Sequence, residues 1–293
     1  MSSPLQSLAV SAPAKINLLL RVIGKRPDGF HELETVFQEI DLADCLTLTE
    51  QPEKIELTCD SGPLPTDNRN LAVRAALALQ QITGTRKGCS IDLRKRIPLS
   101  AGLGGGSSDA AAVLLGLNRL WNLDLKPMAL LKVASELGSD VPFFLHGGTA
   151  YATGRGEQLR RLTATPPYFG VLIYPNLAIS TKEVFAAGKF SLTNSENYFT
   201  FKFVSSSMKN PAQWTDRFGN DLERVVFERY PQLQELIVEL RRAGAFYAHM
   251  SGSGSSVFGL FDSELAACSA KICFDPYDRW VFRPVYRQHR SLS

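Results

Sequence analysis

The chain of 293 residues has little of what would tie it to an oxidising compartment, a metal cage or a bilayer. Its five cysteines (Cys45, Cys59, Cys89, Cys268 and Cys273) are odd in number and scattered, with no CxxC pair. That argues against a disulfide framework and a structural zinc site. The four histidines form no HExxH metal motif. No apolar run approaches a membrane span, and the first residues lack the charged flank and continuous apolar stretch of a signal peptide. A reducing cytosol is the expected compartment, with no membrane partner. Charge of one sign is also scarce: 32 Lys and Arg stand against 29 Asp and Glu, a net charge of +3. The basic stretches Arg86–Arg96 and Arg279–Arg290 read as solvated faces, so no nucleic-acid partner is expected; a small anionic ligand suits the balance. With 44% hydrophobic and 21% charged residues and no long polar repeat, the chain is expected to fold into one or two globular domains.

Glycine, by contrast, is concentrated. The stretch PLSAGLGGGSSDAAAVLLGLNRLW, Pro98 to Trp121, crowds Gly102, Gly104, Gly105 and Gly106 against Ser107 and Ser108. It then runs directly into a helical apolar pattern at Val113, Leu114, Leu117, Leu120 and Trp121. A glycine-rich turn entering a helix offers unpaired backbone N–H groups and the positive end of the helix dipole, the physical description of a phosphate cradle. Small residues also permit a tight turn or close packing between elements, and that alternative stays open at this point. Familiar nucleotide motifs are missing. No lysine follows Gly106 as a Walker A loop requires, no acidic residue closes a clean βαβ dinucleotide unit, and HRD and DFG are absent.

Along the chain, Leu8–Val10 and Ile16–Val22 read as strands interrupted at Pro13. Arg26-Pro27-Asp28-Gly29 is a strong turn. Leu46–Leu48 and Ile55–Thr58 alternate like two antiparallel strands. Asn70 is a plausible N-cap for a helix over 71–81 ending before Gly84, and Gly88–Leu93 is another strand. Pro127 opens a helix that Gly138 closes. A boundary is expected near Thr163–Pro167, dividing the chain into units 1–165 and 166–293. Tyr168–Tyr174 is a strand, Ser180 and Glu183 are spaced as a capping box, and Asn220 and Glu223 repeat that spacing. Ser191–Gln213 reads as a variable surface excursion. Pro231 onward is an amphipathic helix stopped at Gly244. Two strands flank SGSGSS, a helix starts at Asp262-Ser263, and the last strand is expected at Trp280–Tyr286. The second half thus suggests an α+β arrangement, with helices on one face of a sheet.

Four places offer chemistry. Lys15 sits where the chain re-enters a strand, either as a surface lysine or as a cation beside a phosphate or a reacting hydroxyl. Phe30 and His31 follow the turn, able to stack on a planar ring and bond its edge, or simply to pack a loop. Asp140, in SDVPFF, either caps the next turn or is an acid or base at an apolar border. Arg155, between Gly154 and Gly156, either faces solvent or meets a ligand phosphate.

Three ordered segments, PAKINLLLRVIGKRPDGFHELETVFQEIDL, PLSAGLGGGSSDAAAVL and MSGSGSSVFGLF, spanning Pro13 to Phe261, together resemble the GHMP small-molecule kinase superfamily; LGSDVPFF and NDLE also fit. The resemblance implies an α+β GHMP kinase fold, with an N-terminal domain like the second domain of ribosomal protein S5 and a ferredoxin-like C-terminal domain. It implies that residues Pro98, Leu99, Ser100, Ala101, Gly102, Leu103, Gly104, Gly105, Gly106, Ser107 and Ser108 hold ATP, with Ser107 or Ser108 near Mg²⁺. Lys15 and Asp140 would be the catalytic pair, Asp140 accepting the acceptor's proton and Lys15 keeping Asp140 ionised. The implied reaction moves the γ-phosphoryl group of ATP to the 2-hydroxyl of 4-diphosphocytidyl-2-C-methyl-D-erythritol, with Phe30 and His31 gripping the cytosine. Phe30 stands where close relatives carry tyrosine, keeping the stacking and losing a phenolic hydrogen bond. Asn17 is a candidate hydroxyl-binding residue, with a structural polar role as its rival. Gly252, Ser253 and Gly254 would approach the reactive region or support the loop that holds the ligand. A different small alcohol, such as mevalonate, homoserine or galactose, is the main enzymatic alternative; a nucleotide-binding regulator without catalysis is another.

Overall fold

Two sheets lie back to back, each with helices on its outer side. The structure, a computed structural model, describes residues 6–60, 64–162, 166–188, 190 and 199–286. The first sheet is built on a long antiparallel hairpin of β1 (Ser7–Lys25) and β2 (His31–Gln51). The expected turn joins them: Gly29 takes a φ of +85°, and the Arg26 N–H donates to the Phe30 carbonyl at 2.8 Å. Pro13 does not end a strand as expected. The pairing shifts register between Pro13 and Lys15, so a bulge absorbs the missing donor and the two expected strands are one.

β3 (Ile55–Cys59) corrects a second expectation. It does not pair with β2; it lies parallel to β4 (Gly88–Arg94), which itself pairs with β2. Parallel neighbours need a crossover, and α1 (Leu71–Thr83) supplies it between them. Asn70 caps α1 by accepting from the Ala72 N–H, and Gly84 ends it in the left-handed region, both as expected. The helices α2 (Gly105–Leu120), α3 (Pro127–Leu137) and α4 (Val141–His146) follow. Gly138 does follow α3, but with an extended φ of 176° rather than a left-handed one. β5 (Thr149–Thr153) and β6 (Gln158–Arg161) complete a six-stranded sheet. Leu46, Leu48, Ile91 and Leu93 of its strands share one core with Leu79, Val113 and Leu117 of the helices.

The second sheet contains β7 (Phe169–Tyr174), β8 (Tyr247–Met250), β9 (Val257–Phe261) and β10 (Asp278–Phe282), in the order β10-β7-β9-β8, with every neighbour antiparallel. That is the ferredoxin-like order. Between β7 and β8 run α5 (Thr181–Ala187), α6 (Phe201–Ser207), α7 (Trp214–Arg217), α8 (Leu222–Arg229) and α9 (Pro231–Arg242); α10 (Glu264–Ile272) joins β9 to β10. The period of two divides β7 between two cores. Val171 and Ile173 pack with Val226, Leu236, Leu240 and Phe274 of the helical layer, whereas Leu172 joins Ile16, Leu18 and Ile40 of the first sheet. Burying each such side chain contributes about 1.5–3 kcal/mol, so the contact between the sheets is part of the core.

The expected surface excursion over 191–213 is overturned where it is described; 191–198 lies outside the described residues. Val204 and Ser207 of α6 and Met208 just after it, at helical spacing, are fully buried, and Trp214 beyond is buried as well. Serine and asparagine in the composition concealed that stripe. The last strand ends at Phe282, earlier than expected, because Pro284 crosses to bridge Ile40 of the first sheet. Of the expected boundary, 163–165 lies outside the described residues, as do 287–290 of the C-terminal basic stretch; Phe282 is core rather than a stacking surface. Among the described residues no helix is long and apolar enough to cross a membrane.

Candidate active site

A cleft of about 1240 Å³ opens where β1, the start of α2, the start of α4, α5 and the turn between β8 and β9 converge. The glycine-rich segment forms one wall. Gly102 and Gly104 have φ of +76° and +70°, and Ser100 joins them at +53°. A Cβ on Gly102 would run into the carbonyl oxygen of Ser251, and one on Gly104 would meet the Phe144 ring at 2.9 Å. Close packing is therefore real here, and it serves to aim the backbone. At Gly106 the nearest atom to an added Cβ is Leu71 Cδ1 at 3.9 Å, so neither packing nor φ asks for glycine, and the backbone there lies open to approach. No side chain caps α2 at Gly104, leaving its first N–H groups to a ligand or water. Ser107 lines the cleft, while Ser108 is buried with its hydroxyl oxygen unpartnered.

The turn between β8 and β9 holds this loop from below. The Ser251 hydroxyl donates to the Gly102 carbonyl at 3.0 Å and the Ser256 N–H to the Ala101 carbonyl at 3.2 Å. Gly252, Ser253 and Gly254 line the cleft, and Ser253 Oγ lies 2.7 Å from Thr181 Oγ1. Asn220 fixes the turn by donating to the carbonyls of Met250 and Gly252 at 2.9 and 2.7 Å. Glu223, expected to fold back onto Asn220 as a capping box, instead accepts from the Met250 N–H at 2.7 Å and sits 2.9 Å from His249 Nδ1. The spacing was right for a cap, but a neighbouring strand end offered the carboxylate a better donor set.

Lys15 and Asp140 meet in the cleft. Lys15 is only 4% exposed; its backbone N–H donates to the Leu103 carbonyl at 3.0 Å, which ties β1 to the glycine loop. Its ammonium donates to Asn17 Oδ1 at 2.7 Å and to the Gly102 carbonyl at 2.9 Å, and lies 3.7 Å from Asp140 Oδ2. Burial pulls the lysine below its ordinary range, with the Asp140 charge acting the other way. Asp140 occupies the N-cap position of α4 yet makes no capping bond, so its carboxylate, 31% exposed, is turned to Lys15 and the cleft. Asn17 is buried and bonded at both ends, donating to Thr35 Oγ1 at 2.8 Å, which leaves one amide N–H for any ligand.

Phe30 and His31 reach the same cleft without stacking on each other. His31 stacks on Phe185 of α5 at 5.0 Å and meets Phe190 edge-on at 5.5 Å. Burial, then the Lys25 charge, lower its pKa, favouring the neutral ring. Phe30 is 52% exposed, with the Arg155 guanidinium 4.9 Å over its ring, which settles Arg155 against this aromatic rather than free in solvent.

Sequence reasoning missed Thr35, Phe185 and a buried trio under the start of α2. There Lys95 pairs with Asp44 and, at 2.9 Å, with Asp109. Asp44 also accepts the N–H groups of Arg96 and Ile97 at 2.6 and 2.8 Å, whereas Asp109 Oδ1 has no partner. One lysine facing two carboxylates leaves the poorer-served one to keep a proton, and burial, with Asp44 adding repulsion, pushes Asp109 up to about 7. A lysine preceding a glycine loop was the available signal; its partners, far off in sequence, gave none. Among the described residues no group of three or more His, Cys, Asp or Glu side chains could hold a metal ion.

An uncapped glycine cradle beside a buried lysine and a carboxylate open to the cleft suits phosphoryl transfer, and comparison with known proteins agrees. Residues 70–148 match the GHMP kinases N terminal domain and residues 203–273 the GHMP kinases C terminal family. The chain belongs to the GHMP kinases, with their phosphotransfer chemistry and two-part α+β architecture. Among its relatives, the 4-diphosphocytidyl-2-C-methyl-D-erythritol kinase of Prosthecochloris aestuarii is 44% identical over 263 residues, covering 89% of this chain and 91% of its own. That of Bacillus licheniformis is 45% identical over 254 residues, covering 86% and 88%. A crystal structure of 4-(cytidine 5'-diphospho)-2C-methyl-D-erythritol kinase matches with a TM-score of 0.77 at 37% identity, covering 94% of this chain and 99% of that one. Homoserine kinase from Cytophaga hutchinsonii matches with a TM-score of 0.73 at 20% identity, covering 98% and 96%, a likeness of fold alone.

Proposed function

We propose that the chain transfers the γ-phosphoryl group of ATP to the 2-hydroxyl of 4-diphosphocytidyl-2-C-methyl-D-erythritol, giving the 2-phosphate and ADP, in the cytoplasmic non-mevalonate route to isopentenyl diphosphate. The shared name of relatives at 44% and 45% identity supports the substrate. The single observation that carries the chemistry is Lys15 beside Asp140 against the glycine loop.

In this reading residues 98–108 lie along the ATP phosphates, and the N–H groups at the start of α2 receive phosphoryl oxygens. Asp140, uncommitted as a cap, accepts the acceptor hydroxyl's proton. Lys15, held by Asn17 and the Gly102 carbonyl, stabilises the Asp140 carboxylate and the charge on the transferred group. Phe30 and His31 grip the cytosine, with Phe185 behind His31. Asn17 keeps one N–H for the acceptor. Magnesium favours phosphate oxygens and water; Ser107, which lines the cleft, or Ser108, whose buried hydroxyl oxygen has no partner, would hold it, and it would neutralise phosphate charge. Residues 1–165 and 166–293 act as the two units whose contact forms the cleft.

The test is to incubate the protein with ATP, Mg²⁺ and the diphosphocytidyl alcohol and identify the product by phosphorus NMR. The 2-phosphate is expected. Phosphate on mevalonate, homoserine or galactose, with none on this acceptor, overturns the substrate.

A further inference from the structure

The Lys15 ammonium is aimed by a chain of hydrogen bonds in which every donor and acceptor is forced. An ammonium can only donate, so the Asn17 end facing it at 2.7 Å must be the carbonyl oxygen. The Asn17 amide nitrogen must then face Thr35 Oγ1, at 2.8 Å, as a donor. Thr35 accepts that bond and therefore sends its only proton elsewhere, to the Leu19 carbonyl at 2.6 Å. All three side chains are buried, so each bond of the chain counts for more than it would in open solvent. β1 and β2 hold the relay in register, Asn17 pairing opposite Phe37 and Leu20 opposite Thr35.

We propose that Thr35 is a positioning residue: through its hydroxyl it locks the Asn17 amide in one orientation, and so fixes the Lys15 ammonium between Asn17, the Gly102 carbonyl and Asp140. Thr35 touches no reacting atom in this account. With a methyl group in place of that hydroxyl, nothing at position 35 accepts the Asn17 N–H, and a flipped amide would turn its NH₂ group toward the ammonium. Lys15 then loses an acceptor and is less firmly held as a cation. The idea rests on the proposed role of Lys15 in phosphoryl transfer for its effect on turnover, but not for its effect on the lysine itself.

The test uses Thr35→Val, which keeps the shape and the strand propensity, beside Thr35→Ser, which restores the hydroxyl. Two quantities are measured: the titration midpoint of the Lys15 ammonium by NMR, and kcat with KM for ATP. In Thr35→Val we expect the midpoint to fall below that of the parent and kcat to drop by about tenfold or more, with KM for ATP changed less than about twofold. Thr35→Ser is expected to recover both midpoint and kcat, which separates the hydroxyl from packing by the threonine methyl. A Thr35→Val protein with the parent's midpoint, or equal losses in both variants, overturns the relay. Should the parent itself show no phosphoryl transfer, the kinase reading fails while the midpoints still decide the relay.

Discussion

Lys15 Nζ lies 3.7 Å from Asp140 Oδ2, the lysine almost sealed from solvent and the carboxylate open to the cleft. Held by β1 and by the turn before α4, the pair is brought together only by the fold. The geometry divides the work: a cation that is fixed, and a carboxylate that a ligand can reach. Asp140→Asn keeps size and polarity and removes the proposed base. We expect kcat to fall by about 10²–10⁴ and ATP affinity to stay nearly constant, checked by steady-state kinetics beside calorimetric titration with a nonhydrolysable ATP analogue.

Gly102→Ala should damage the cradle itself. A methyl there collides with the Ser251 carbonyl, on a residue already at a φ of +76°, and backbone rather than a flexible side chain would have to yield. A loss of about 2 kcal/mol or more is expected in urea unfolding, together with weaker nucleotide binding. Gly106→Ala, where the nearest atom is 3.9 Å away, is the control: stability should hold while nucleotide binding weakens.

Asp109 makes stability depend on pH with a definite sign. Burial raises its pKa from an ordinary 3.8 to about 7, so the folded chain holds this proton more tightly than the unfolded one. The contribution is fully present below pH 3.8 and is lost as pH rises through about 7. Asp109→Asn, a mimic of the protonated acid, should therefore gain stability relative to the parent between pH 5 and about 8. Urea midpoints of both proteins across that range give the comparison, and a difference independent of pH would rule the account out.

Phe30 offers an exposed ring to the cleft, so its truncation separates acceptor recognition from folding. Phe30→Ala should raise KM for the cytidyl acceptor by about tenfold, the worth of one base–aromatic contact. KM for ATP and the melting temperature should barely move. Equal changes in both KM values would remove Phe30 from the acceptor side.

What the sequence made readable was local. Helix α1, with Asn70 at one end and Gly84 at the other, could be read because its caps are contiguous with it. The glycine loop and the turn after β8 were readable for the same reason, and their resemblance to a known family linked them to Lys15 and Asp140. The partners of β3 were not, since nothing in residues 55–59 distinguishes a parallel neighbour from an antiparallel one until the α1 crossover is placed. Nor was α6, whose buried stripe of Val204 and Ser207, continued by Met208 at its end, is diluted by serine. Glu223 satisfied a local rule and was drawn off by the strand end at Met250. The Lys95 trio and the Thr35 relay depend on pairings between distant segments, and no spacing announces them.

The most direct measurement is ADP release by the purified protein, with Mg²⁺ and ATP, in the presence and absence of 4-diphosphocytidyl-2-C-methyl-D-erythritol, for the parent and for Asp140→Asn. The account predicts release that requires the acceptor in the parent and is nearly abolished in the variant, with ATP still bound by both. ATP binding with no acceptor-dependent ADP release in the parent, or equal release in parent and variant, would contradict it.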